Sequence, residues 1–152
     1  MSDDFLTQTL PQLANVSPHT HALGFRFEGL DADRVRIRVP WREDLVGDPD
    51  TGVFAGGLVT TILDHVGGLA VWTALKTYRP IATLDLRVDY MRAARTREDL
   101  LTEARCYRLT SGIAFVRAWA FETDPADPVA AAQSTYMLTN ARPADRLAED
   151  VA

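Results

Sequence analysis

Cysteine is almost missing from this chain: Cys106 stands alone among 152 residues. No internal disulfide can form, which excludes the stapled scaffolds of small secreted domains and favours a reducing, cytoplasmic setting. The opening MSDDFLTQTL lacks the basic start and apolar core of a signal peptide. A basic surplus is missing too, and the formal net charge of −5 argues against a general nucleic-acid binder. An unbroken apolar run of membrane-spanning length is also lacking, because Asp64, His65 and the Gly67-Gly68 pair interrupt the stretch from Leu58 to Leu75. The glycine loops of nucleotide-hydrolysing and dinucleotide-binding domains do not occur, nor does a glycine-serine nucleophile elbow. What remains has the composition of one globular domain, 47% apolar and 24% charged, without internal repeats.

What is present divides by pattern into an N-terminal helical extension over 1–22, a main domain over 23–140 and a polar tail over 141–152. In the extension, Phe5, Leu6, Leu10 and Leu13 fall on one side of a helix over 3–13, with Pro11 and Pro18 near its end. Period two takes over from Leu23 to Leu30 and again from Arg34 to Val39. There Val35, Ile37 and Val39 alternate with Arg34, Arg36 and Arg38, the mark of a strand with one wet face. Asp31-Ala32-Asp33 reads as a hairpin turn, and 42–55 reads as a loop. Four further strands are expected at Ile81–Met91, Leu100–Leu109, Ile113–Glu122 and Val129–Leu138, with turn chemistry between them. Such short links predict an antiparallel meander. Within Ile113–Phe121, Ala114, Val116, Ala118 and Ala120 share one side, while Ile113, Phe115, Trp119 and Phe121 share the other. If the small residues meet a helix, an oligomer interface would cover the large ones.

Between the strand groups, Gly56 to Thr77 reads as a helix that is apolar almost all round and stops before Pro80. A helix without a polar face is buried, so the sheet is expected to curl round it in an α+β fold. Asp64, in its middle, is then the informative residue, because an ionised carboxylate there is costly unless it is paired or used. Gly57, Thr60 and Thr61 precede it at helical spacing and share its face, which Gly68 and Val71 extend. Leu58, Ile62, Val66 and Leu69 lie mostly elsewhere and anchor the helix. Gly56 and Gly57 open the helix, where unpaired amides and the helix dipole favour an anion. The plainer readings are a tight turn for the glycines and a structural aspartate bonded to a hydroxyl or an arginine.

Three segments, Val53-Phe-Ala-Gly-Gly, Leu63-Asp-His and Val88-Asp-Tyr-Met-Arg, together resemble the hotdog-fold acyl-CoA thioesterases of the phenylacetate-pathway (PaaI-like) type. The resemblance spans roughly Leu23 to Leu138. It implies a curved antiparallel sheet of about five to six strands wrapped round one long central helix, and a homodimer with a continuous sheet, often paired into a homotetramer. Active sites would lie at the dimer interface and hydrolyse an acyl-CoA or aryl-CoA thioester to free acid and CoA. Asp64 would act as general base or nucleophile, the Gly56 amide of the partner as oxyanion donor, and Thr83 as the hydroxyl beside the acid. Substrate contacts would fall on Ala55, Gly57, Thr60 and Thr61, with Arg92, Arg95, Ser111 and Gly112 at the nucleotide part of coenzyme A. No metal or redox cofactor is implied, since coenzyme A belongs to the substrate, and no nucleic-acid or membrane partner. The family usually carries histidine directly before the glycine pair, whereas this chain has Ala55. A non-catalytic acyl-CoA-binding dimer is therefore the alternative. A hotdog dehydratase fits less well, because its paired histidine and acid are not evident.

The remaining chemistry-bearing residues give weaker signals. Arg87, Arg92, Arg95 and Arg97 cluster around one strand end, with Arg105 and Arg108 on the next strand. Arginine suits phosphate, but a charged strand edge that discourages aggregation has the same look. His65 is turned about 100° from Asp64 round the helix and reads as a buried or interface residue. His19 and His21 lack a nearby acid cluster, so they are a weak metal signal. Cys106 reads as a packing residue.

Overall fold

Residues 4–140 are described in the computed structural model, so the polar tail expected over 141–152 lies outside the described residues. Alternation of side chains sets the sheet. In β2 (Arg34–Val39) the three aliphatic residues are fully buried, while the three arginines lie half-buried on the opposite face. β1 (Arg26–Asp31) pairs with β2, and β2 pairs with β6 (Leu100–Leu109). The ladder continues through β7 (Ile113–Phe121) and β8 (Ala130–Leu138) to β5 (Ile81–Tyr90), every pair antiparallel. The strand order is therefore β1-β2-β6-β7-β8-β5. The expected meander holds for β6, β7 and β8 only. β5 departs from it because the chain first runs through a helix, α3 (Gly56–Leu75), and returns at the far edge.

The six-stranded sheet curls round α3, which is the hotdog arrangement. Ala114, Val116, Ala118 and Ala120 of β7 are all buried, and their small size lets the helix approach the sheet. Against them α3 presents Leu58, Ile62, Leu63, Val66 and Leu69, also buried. Each fully buried aliphatic side chain of this kind contributes about 1.5–3 kcal/mol. The helix is apolar and long enough to cross a membrane, but 61% of its most apolar window is buried inside the protein, so it is a core helix. It ends at Leu75, two residues before the expected Thr77, with Lys76 in the left-handed region at φ 55°.

The N-terminal region differs from the single helix expected over 3–13. A π-helical turn, Phe5–Thr9, runs into the short α1 (Leu10–Leu13), and a second helix, α2 (Pro18–Leu23), follows. Leu23, expected to open a strand, instead ends α2. Its signals were nonetheless in the sequence: Ser17 accepts the Thr20 amide at 3.1 Å, Pro18 fills the first turn, and Gly24 closes the helix at φ 75°. The expected loop over 42–55 also contains structure, a 3-10 turn (Glu43–Leu45) and a small ladder of β3 (Val46–Asp48) with β4 (Val53–Phe54). Strands of two or three residues show no period, so alternation could not have found them. The ladder presses on the entrance to α3, where a Cβ on Gly47 would stand 2.7 Å from the Ala55 Cα.

Candidate active site

The site is built along the one strip of α3 that the sheet leaves open. Ala55 caps the helix with extended backbone, ψ 137°, and offers no side-chain cap. Its own amide is bonded to the Leu45 carbonyl at 3.0 Å, and its carbonyl accepts the amides of Leu58 and Val59. The amides of Gly56 and Gly57 find no acceptor among the described residues, and both glycines are exposed. Helix entry thus leaves two donors facing outward, where the helix dipole favours negative charge. Tyr90, at the end of β5, fastens this entry from outside. Its hydroxyl donates to the Gly56 carbonyl at 2.7 Å and is bonded to the Thr60 hydroxyl.

Asp64 lies two turns further along the same strip and is half-buried. Thr83 of β5 donates its hydroxyl to Asp64 Oδ1 at 2.9 Å. Tyr136 of β8 donates to the main-chain carbonyl of Asp64 at 2.8 Å and also reaches Oδ1, at 3.2 Å. None of the ion pairs among the described residues involves Asp64. An open depression of about 390 Å³ flanks the acid. α3 lines it with Thr60, Thr61, Asp64 and His65, the N-terminal region with Ser17, His19 and Thr20, and β5 with Leu86. Another depression, of about 300 Å³, lies on the outer face of the sheet between Arg87, Arg117 and Trp119, away from Asp64. Gly56 and Asp64 are eight residues apart, about 12 Å along a helix. One chain therefore does not bring its helix-entry amide and its acid to the same reacting atom.

Three comparisons place this geometry. Residues 51–128 match the thioesterase superfamily. The chain belongs to the thioesterase superfamily. A Pseudomonas aeruginosa protein of known structure superposes with a TM-score of 0.80 and 31% identity, covering 88% of this chain and 99% of that one. A thioesterase from Haemophilus influenzae has the same fold, with a TM-score of 0.73 at 21% identity over 86% of this chain and 88% of its own. In sequence, the chain is 37% identical over 94 residues to a Halobacterium salinarum protein proposed to be an esterase. That match spans 60% of this chain and 61% of the relative. Membership of a thioesterase superfamily gives the open strip of α3 its chemical context: an acid, a neighbouring hydroxyl and outward-facing amides.

The residues singled out in the sequence fare unequally in this superfamily fold. Asp64, Thr60 and Thr61 line one depression, Thr83 bonds Asp64 beside it, and Gly56 and Gly57 stand at the helix entry. The face expected to continue through Gly68 and Val71 does not stay open, because both are buried as α3 turns into the sheet. Arg92, expected at the nucleotide part of coenzyme A, is engaged within the chain. Its guanidinium bonds both Glu122 oxygens, the Asp127 carboxylate and two carbonyls. Arg95 is exposed; its backbone amide donates to Glu122 at 2.7 Å, and its guanidinium lies 3.9 Å from the Glu98 carboxylate. Ser111 and Gly112 sit in the β6–β7 turn at the opposite end of the sheet from Arg95, so within one chain these are two places. His65, expected as a buried or interface residue, is half-buried, bonded to the Ala14 carbonyl at 3.0 Å and tilted against the Phe25 ring. Burial pushes its pKa below the ordinary histidine value despite that bond. Burial pushes the Cys106 thiol up, which suits packing rather than reactivity. Sequence reasoning missed Tyr90 and Tyr136. Tyr90 stands in the Val88-Asp-Tyr-Met-Arg segment, whereas nothing in the local pattern of β8 marks Tyr136.

Proposed function

We propose that the protein hydrolyses an acyl-CoA or aryl-CoA thioester, as a homodimer with two composite sites. The reading rests on Asp64, an acid with hydroxyl partners and no ion-pair partner among the described residues, beside an open depression in a thioesterase-superfamily fold. Asp64 takes a proton from water, or attacks directly, and the Gly56 amide of the second protomer receives the developing oxyanion. Removing one preorganised donor of that kind typically costs about 100- to 1,000-fold in rate. The carbonyl–sulfur bond then breaks, and the thiolate leaves as free coenzyme A. Coenzyme A is part of the substrate in this reading.

The need for two protomers follows from distance. β5 is an edge strand, and most of its residues are exposed, inward-facing Thr83 and Tyr90 included. Paired antiparallel with its own copy about the midpoint between Leu86 and Arg87, it sets Thr83 of one protomer opposite Tyr90 of the other. Thr83 touches Asp64, and Tyr90 touches Gly56. The same pairing brings the Ser111-Gly112 end of one sheet towards the Arg95 end of the other, where they flank the nucleotide part of the substrate. A further pairing into a tetramer would cover the half-buried Ile113, Phe115 and Trp119 on the outer face.

Free-thiol release from short, long and aromatic acyl-CoA esters tests the activity, and no release from any of them would sink it. The composite site is tested by co-expressing Asp64→Asn with Gly56→Pro. Proline suits the first helical position and removes only the amide hydrogen. Each variant alone is inactive, and the mixture regains about a quarter of wild-type activity, since half the dimers are mixed and one of their two sites is whole. No recovery would mean that each site belongs to one chain. The second reading, an acyl-CoA-binding dimer without turnover, is favoured by Ala55, whose methyl group makes no hydrogen bond at the helix cap. It expects saturable binding and no thiol.

A further inference from the structure

The two oxygens of Asp64 have different surroundings. Both hydroxyls that reach the carboxylate converge on Oδ1, Thr83 at 2.9 Å and Tyr136 at 3.2 Å. Oδ2 has no hydrogen-bond partner among the described residues. Thr83 is exposed on β5, but Tyr136 is 2% exposed and approaches from β8 inside the sheet, out of reach of a substrate in the open depression. Its hydroxyl also bonds the Asp64 main-chain carbonyl at 2.8 Å, so one donor ties the backbone and the side chain of the same residue. Burial keeps the phenol protonated far above neutral pH, so it acts as a donor throughout.

Room for this contact is built into the helix. Gly67 follows Asp64 by three residues and lies directly against the tyrosine. A Cβ at position 67 would overlap the Tyr136 hydroxyl and stand 3.1 Å from its Cζ. Glycine is a poor helix former, and here it serves close approach rather than an unusual backbone angle. A tyrosine and a glycine on different elements thus fit together around the carbonyl of the acid.

We propose that Tyr136 is a positioning residue: with Thr83 it holds Asp64 by Oδ1 and turns Oδ2 into the depression as the reacting oxygen. The inference rests on the thioesterase reading above. In the general-base form, the Oδ2–H bond forms as a water O–H bond breaks. The water oxygen adds to the carbonyl carbon, and that carbonyl's electron pair moves onto its oxygen. On collapse the C–S bond breaks, and the proton returns from Oδ2 to the leaving thiolate. Thr83 and Tyr136 keep their protons throughout. Their contribution is a single orientation of the carboxylate, since small misplacements of a reacting group cost much of its rate.

Tyr136→Phe keeps the ring and removes only the oxygen. The expected result is a fall in kcat of about tenfold, the scale of one hydrogen bond to a charged group. KM stays near the wild-type value, because Tyr136 does not meet the substrate. Gly67→Ala drives the hydroxyl away and lowers kcat similarly, yet adds little on top of Tyr136→Phe, because both remove the same contact. An unchanged kcat in Tyr136→Phe, a raised KM alone, or losses that multiply in the double variant would each overturn the proposal. A crystal structure of Tyr136→Phe adds a readout that needs no activity: the Asp64 carboxylate should occupy more than one rotamer. If the wild-type protein releases no thiol, the thioesterase reading fails by itself. A single Asp64 rotamer, the same in wild type and variant, would then reject the positioning role as well.

Discussion

Glu103 and Glu122 are held by arginines, whereas Asp64 is held by hydroxyls. Glu103, 1% exposed on its side chain, sits between Arg34 and Arg36, each at 2.6 Å. Glu122, 3% exposed, takes the fork of Arg92 and the amide of Arg95. Asp64 has Thr83 and Tyr136 instead, beside an open depression. An arginine fork neutralises an acid and fixes both its oxygens. A hydroxyl orients the acid without cancelling its charge and can leave one oxygen free. The contrast separates two carboxylates that support the fold from the acid proposed to carry the chemistry.

The largest effect expected is on the chemical side. Asp64→Asn should lower thiol release by about 100-fold or more, with a melting temperature close to wild type, because the amide oxygen can still accept from Thr83. Full activity in that variant would erase the contrast by making Asp64 one more structural acid. Glu103→Gln is the opposite experiment. Removing the charge leaves Arg34 and Arg36 without their shared partner and costs about 2 kcal/mol, less than a fully buried pair because both arginines are partly exposed. Urea unfolding would measure this loss, and activity per folded molecule should stay unchanged. A large loss of turnover without a loss of stability would show that the clamp serves the site.

A smaller effect concerns acid stability. Burial alone would raise the pKa of Glu122, but hydrogen bonds from Arg92 and the Arg95 amide outweigh it and hold the value below the ordinary 4.5. A group whose folded pKa is depressed contributes its full stability above the unfolded value and loses it as pH falls through the folded one. Wild-type stability should therefore decline on acidification below about pH 4.5. Glu122→Gln should be less stable at neutral pH and show a shallower decline. Parallel curves for the two proteins would remove Glu122 from the acid response.

Much of the fold could be read along the chain. The alternation of β2, the small side of β7 and the all-round apolar α3 each follow from a period fixed by local backbone geometry. Asp64 was identifiable for the same reason and Thr83 through the family resemblance alone, and the structure brings the two side chains together. The pairing of Arg92 was not legible, because an arginine in sequence carries no sign of its partner. Glu122 lies 30 residues away and consumes it. The short α2 was overlooked although Ser17, Pro18 and Gly24 bracket it, because six residues are too few for a clear period.

By itself the sequence determined which residues share a helix face, where strands alternate, and that an acid sits in an apolar helix. These depend on bonds and angles within a few residues. Only the tertiary structure decided that β5 crosses to the far edge, that Arg92 is spent on Glu122, and that Tyr136 reaches Asp64 across 72 positions of chain. Those contacts depend on strand order and register, which many distant residues set together by burying one common core.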